Sequence, residues 1–147
     1  MKTWILLFSV LVLAACGGTS TEETEENALQ KEIYSIHDAV MPEMSTINRV
    51  SRELKKRKDS VQDSVVLVQI DSAVAILEKA DDGMMDWMQN YKDPSLLRGK
   101  KTHAEIMEYL KEEKQKITRV KQLMEKSIAD GEALLKNINP DEGTKQN

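Results

Sequence analysis

A chain of 147 residues suffices for one domain and is too short for two of ordinary size. Its formal charge of −4 argues against nucleic acid, which rewards a basic surface, and against purely electrostatic adhesion to anionic lipid. Aromatics are scarce, Gly and Pro are few, and Glu, Lys, Leu, Ala, Ile, Val and Met dominate, a helix-bundle composition.

The chain opens with Lys2 and an apolar run from Trp4 to Val12, far short of the roughly 20 residues that span a bilayer. Leu13-Ala14-Ala15-Cys16 closes the run and contains the only cysteine. These residues resemble the lipobox of bacterial lipoproteins. The resemblance implies a signal peptide over 1–15, a diacylglycerol thioether on Cys16, cleavage before Cys16, and acylation of the new amino group by a fatty acid such as palmitate. Several acyl chains make an anchor stable where one would not. With Cys16 lipidated no disulfide is available, so packing must supply the stability. Gly17 in place of Asp implies, by the same resemblance, transfer to the outer membrane of a Gram-negative envelope. Loss of Lys2 makes the mature chain one unit more acidic.

Residues 16–27 are expected to form a flexible tether, because Gly17 to Asn27 holds no apolar residue and cannot bury a face. The bundle is expected over 28–139. A first helix runs from about Leu29 to Lys58, with Leu29, Ile33, Ile36, Val40, Ile47, Val50 and Leu54 at alternating four- and three-residue steps, one step being skipped at Glu43. Pro42 removes one donor and should kink it. The cluster Arg52, Lys55, Lys56, Arg57 and Lys58 suits a helix C-terminus, where cations meet the dipole, and reads as a solvated helix end.

Asp59-Ser60 predicts a turn and N-cap, and a second helix follows over about Val61 to Lys92. Its stripe is Ile70, Ala73, Leu77, Ala80, Met84, Trp87 and Tyr91, with Gly83 a weak point. Asp93-Pro94-Ser95 ends it. Thr102 and Glu105 fit a capping box at the start of a third helix that reaches about Ile138. Asn139-Pro140 stops that helix, and the polar tail 140–147 should fray. No strand alternation or phosphate-binding loop occurs. The fold class expected is all-α: an antiparallel, coiled-coil-like, up-down-up three-helix bundle. A homodimeric coiled coil is the rival, since one stripe per helix permits either.

Antiparallel packing about Asp59 and Leu97 predicts Tyr34 near Met84, His37 near Asp81, Trp87 near Met107 and Met85 near Tyr109. The mature aromatics, both histidines and several methionines then gather at the end bearing the N-terminus. There His37, Met41 and Met44 share a helix face, and Met84 and Met88 lie one turn apart. Thioether and imidazole groups suit Cu(I), so these five residues are a candidate soft-metal site. They equally suit packing around Trp87 and the Pro42 kink, or a Met-rich groove for an apolar ligand or peptide. No Cys-x-x-Cys-His, Glu-x-x-His or nucleophile beside a base is present, which argues against covalent haem, a di-iron oxidase and hydrolytic chemistry. No enzyme activity and no cofactor are expected.

His37-Asp38-x-Val40-Met41-Pro42-x-Met44, Met84-Met85-x-Trp87-Met88 and Glu108-Tyr109-Leu110, taken with the lipobox, resemble small bacterial lipoproteins labelled "viral A-type inclusion protein". The label reflects coiled-coil similarity and implies no viral activity, and the resemblance carries no catalytic role onto any residue. The function expected is a membrane-anchored envelope lipoprotein with a structural or binding role and a protein partner still to be identified. A periplasmic copper or apolar-ligand binder is the alternative.

Overall fold

A computed structural model describes residues 20–138. The signal peptide, Cys16 and the tail 140–147 lie outside the described residues. Among the described residues four α-helices form: α1 (Thr21–Val40), α2 (Glu43–Lys58), α3 (Ser64–Asn90) and α4 (His103–Asn137), with a short 3₁₀ turn at Pro94–Leu96. No strand occurs among the described residues. None of these helices is long and apolar enough to cross a membrane.

The first helix begins eight residues earlier than its apolar pattern suggests. Ser20 caps it, its Oγ accepting from the Glu23 amide at 3.1 Å, and Glu22 and Glu23 sit in the first turn, where the dipole favours acids. The acidic run over 21–27 is therefore helix and not tether. It needs no apolar face, because Arg98 holds Glu23, Glu26 and Asn27 at 2.7, 2.7 and 2.9 Å.

Pro42 separates α1 from α2, yet Met41 and Pro42 both keep right-handed helical angles. Bonds from Met44 N to Met41 O (3.2 Å) and Ser45 N to Pro42 O (3.3 Å) restart the ladder. The core stripe crosses the break without losing phase. Ile33, Val40, Ile47 and Leu54 recur every seventh residue and are fully buried. Thus α1 and α2 act as one interrupted rod.

Asp63, not the Asp59-Ser60 pair, caps α3, accepting from the Val65 amide at 2.8 Å. The connector is correspondingly longer, with Val61 tucked against the core. Thr102 and Glu105 form the expected capping box of α4: the Glu105 carboxylate accepts from the Thr102 amide at 2.8 Å, and Thr102 Oγ1 accepts from the Glu105 amide at 3.3 Å.

Three helical rods pack on one another. Ile70, Leu77 and Met84 of α3 and Ile106, Leu110 and Ile117 of α4 meet the α1–α2 stripe in one core. Leu97 of the connector caps it. Cross-helix ion pairs fix the register. Lys58 binds Asp71 at 2.6 Å and Lys55 binds Glu78 at 2.7 Å between α2 and α3. Glu26 meets His103, Glu32 meets Lys114, and Arg49 meets Glu132 between the first rod and α4. Lys55 and Lys58, expected to be merely solvated, therefore strap α2 to α3.

Candidate functional site

The C-terminal half of α3 faces the α1 residues before Pro42 and the first turns of α4. Every described aromatic residue gathers there. Trp87 on α3 and Tyr91, the residue that caps its C-terminus, have ring centroids 5.0 Å apart. His37 of α1 packs on Trp87 with ring centroids 5.5 Å apart. Tyr34 meets Tyr91 edge-on at 5.6 Å, and Tyr109 of α4 stacks on it at 6.4 Å. Such spacings add to area burial by offset and edge-to-face attraction.

The register differs from the sequence expectation by nearly two turns. Tyr34 meets Tyr91 and His37 meets Trp87, where Met84 and Asp81 were expected. Asp81 instead accepts from Asn48 at 3.5 Å. Trp87 borders a cleft with Glu113 and Lys116, and Tyr91 takes the place beside Tyr109 that was expected for Met85, which is exposed.

Polar tips in this cluster are unequally satisfied. Tyr109 Oη accepts from the Lys92 amide at 2.6 Å. Trp87 Nε1 and Tyr91 Oη are buried and make no hydrogen bond of ordinary geometry among the described residues. The Gln30 amide donates to Asp93 at 2.6 Å and to Tyr34 Oη at 3.3 Å. Burial pushes the Tyr91 phenol far above its ordinary value, with the neighbouring Tyr34 adding to that push, so Tyr91 stays neutral.

Of the five residues expected to form a soft-metal site, His37 joins the aromatic cluster directly, through its contact with Trp87. Met84 is fully buried, whereas Met41, Met44 and Met88 are partly covered and pack against the core. His37 is half-buried, with Nδ1 2.9 Å from Asp38 Oδ1 and its ring against Trp87. Met84 thus belongs to the core, and Met41, Met44 and Met88 pack against it, as adaptable thioether side chains commonly do. Among the described residues no group of three or more His, Cys, Asp or Glu could hold a metal ion.

A second polar site was not legible as one. Glu26 on α1 is only 2% exposed. Its carboxylate accepts from Arg98 Nε at 2.7 Å and faces His103 Nδ1 at 3.0 Å. His103 Nε2 lies 3.4 Å from Glu25, so both ring nitrogens point at carboxylates and the imidazolium form is favoured. Burial works to raise the Glu26 value, but the bonds from Arg98 and His103 overcome it and hold the carboxyl below its usual range. The same bond from Glu26 raises His103. This clamp fastens the first turns of α1 to the α3–α4 connector. Gly99, with φ of +81°, turns the chain just after Arg98 in a conformation that L side chains rarely adopt. The two histidines thus serve separate clusters.

Beside the clamp a groove of about 960 Å³ runs between α1 and α4. Ala28, Leu29 and Met107 contribute its apolar lining, and Lys111, Lys114 and Arg119 its basic side. Lys114 reaches across it to Glu32.

No family model, curated protein or solved structure matches the chain.

Proposed function

We propose that the protein is a lipid-anchored component of an outer membrane, whose helices form an up-down-up bundle with a non-enzymatic structural or binding role. The observation that carries this reading is the lone cysteine in Leu13-Ala14-Ala15-Cys16, placed after Lys2 and a short apolar run. The start of α1 supports it. Thr21 follows Cys16 by five residues, a reach of at most about 18 Å. An anchored chain would thus carry its clamp and aromatic end close to the bilayer. The opposed numbering of the α2–α3 ion pairs and the concordant numbering of those between the first rod and α4 support the up-down-up topology. The prominence of cross-helix ion pairs among the described charged side chains favours a structural over a catalytic role.

Palmitate incorporation into the full-length chain tests the anchor. Cys16→Ser should abolish labelling and release the protein from membranes, and globomycin should accumulate the uncut precursor. Processing that ignores globomycin, or labelling that survives Cys16→Ser, overturns the reading.

A second reading, an apolar-ligand binder, is favoured by the α1–α4 groove with Leu29 and Met107 in its lining. A single acyl chain or an amphipathic helix fits such a lining. Native mass measurement of the purified chain, with elemental analysis, distinguishes a retained ligand, a retained copper ion and an empty bundle.

A further inference from the structure

The outward face of α3 is apolar as well as its inward one. From Ser64 to Lys79 the helix holds only three charged side chains, Asp71, Glu78 and Lys79. Two of these are committed to α2, Asp71 to Lys58 and Glu78 to Lys55. Ile70, Val74 and Leu77 face the core. On the other side Val65, Val68 and Ile76 are 63, 66 and 43% exposed, and Ser72 and Ala75, also exposed, lie between them. At 100° per residue Val65, Val68, Ser72, Ile76 and Lys79 form one stripe along four turns. A helix with a solvent-facing side normally makes that side polar, and one that is apolar on two faces is usually covered on both.

We propose that this stripe is the interface of a homodimer in which two α3 helices cross antiparallel about a two-fold axis at Ser72. The pattern is self-complementary about that residue, as an isologous contact requires. The axis sets Val68 of each copy against Ile76 of the other. Ser72 sits at the crossing with Ala75 beside it, and small side chains there let the helices approach closely. The axis also carries Lys79 to the other copy's Val65 and Asp63. Lys79 is the one ionic group on the stripe and has no carboxylate partner among the described residues. Its alkyl stem covers Val65 and its ammonium meets the Asp63 carboxylate, twice by symmetry.

Segments of the same chain are poorer occupants. Residues 139–147 carry no large apolar side chain. The start of α1 lies against Arg98 of the α3–α4 connector, beyond the C-terminal end of α3 and so at the far end of that helix from Val65. A four-turn face is smaller than a standard protein interface, so association is weak in dilute solution and is strengthened by confinement on a surface. The bundle alone supplies this face, so the proposal stands whether or not Cys16 is lipidated.

Ser72→Cys in the full-length chain, treated with a short bismaleimide in cells, tests it. The unsubstituted chain controls for Cys16. Gln122→Cys, exposed on α4, controls for random collision. Ser72→Cys should give the double-mass product at least tenfold faster than Gln122→Cys. Adding Val68→Glu should remove that excess, while the circular-dichroism melt shows that this exposed substitution leaves the bundle folded. Equal rates for the two cysteines overturn the proposal, as does cross-linking that survives Val68→Glu. A Ser72→Cys adduct to another protein with no double-mass product also overturns it and assigns the face to that partner.

Discussion

Gly131 on α4 presses against Val50 on α2 so closely that a Cβ on Gly131 would stand 2.7 Å from Val50 Cγ1. Both residues are buried, and Leu77 and Leu54 close the space around them. The glycine therefore sets how near the two helices can come. Gly83 on α3 is different, since a Cβ there would meet Val120 at an ordinary 3.9 Å. Gly131→Ala should cost about 1–3 kcal/mol through overpacking, net of its gain in helix propensity. Gly83→Ala should stabilise by about 0.5–1 kcal/mol. Urea titrations of both variants check the pair, and a shift of the same sign in both would contradict this account of the α2–α4 contact.

The clamp around Glu26 gives a pH dependence with two limbs. A carboxyl lowered by folding contributes stability above its unfolded value, and that contribution fades as pH falls through the folded value. Glu26 lies below 4.5, so its limb is acidic. A histidine raised by folding contributes below its unfolded value, here 6.5, and the contribution fades as pH rises through the higher folded value. The N-terminal turns of α1 should therefore dock most firmly between about pH 4.5 and 6.5. Amide protection factors over 22–30 should peak in that window and flatten in Glu26→Gln. Protection that ignores pH, or that is unaltered in the variant, would show that the clamp does not hold α1.

Elements governed by local pattern were legible in the sequence, and those set by distant partners were not. The heptad from Ile33 to Leu54 and the Thr102–Glu105 box depend on residues a turn or two apart, and both were readable. The helical state of 21–27 depends on Arg98, which lies 75 residues from Glu23. The aromatic grouping was foreseen because it needs only chain direction. Its partners were not, because Asp63 rather than Ser60 caps α3 and the longer connector shifts the register. Exposure of Val65 and Val68 was not read from the sequence: the stripe from Ile70 gives the inward phase of α3, but an apolar run before it does not say which of its members stay uncovered.

Methionines at the aromatic end should separate by burial. Met84 is fully enclosed in the core, whereas Met44, just after the break at Pro42, is only partly covered. Met84→Ala should cost about 2–5 kcal/mol, the range for a large-to-small change that leaves a cavity. Met44→Ala should cost less, about 1 kcal/mol, because part of its surface stays in water. Thermal melts of the purified variants check the ordering. Unchanged melting of Met84→Ala would contradict the packing role, and equal losses would place Met44 in the core.

Two tyrosines on neighbouring helices make opposite predictions from the same substitution. Tyr91 Oη is buried and makes no hydrogen bond of ordinary geometry among the described residues; the nearby Gln30 amide donates to Asp93 and Tyr34 instead. Removing that hydroxyl removes a desolvated group that gains nothing in return, while the ring keeps its contacts with Tyr34, Trp87 and Tyr109. Tyr91→Phe should therefore stabilise by about 1 kcal/mol. Tyr109 Oη accepts from the Lys92 amide at 2.6 Å, where the chain leaves α3. Tyr109→Phe strands that donor and should cost about 1 kcal/mol. If Tyr91→Phe is the more damaging of the two in denaturant titrations, Tyr91 Oη has a partner in solution, and the candidate site contains a polar contact at its centre where an unsatisfied hydroxyl now stands.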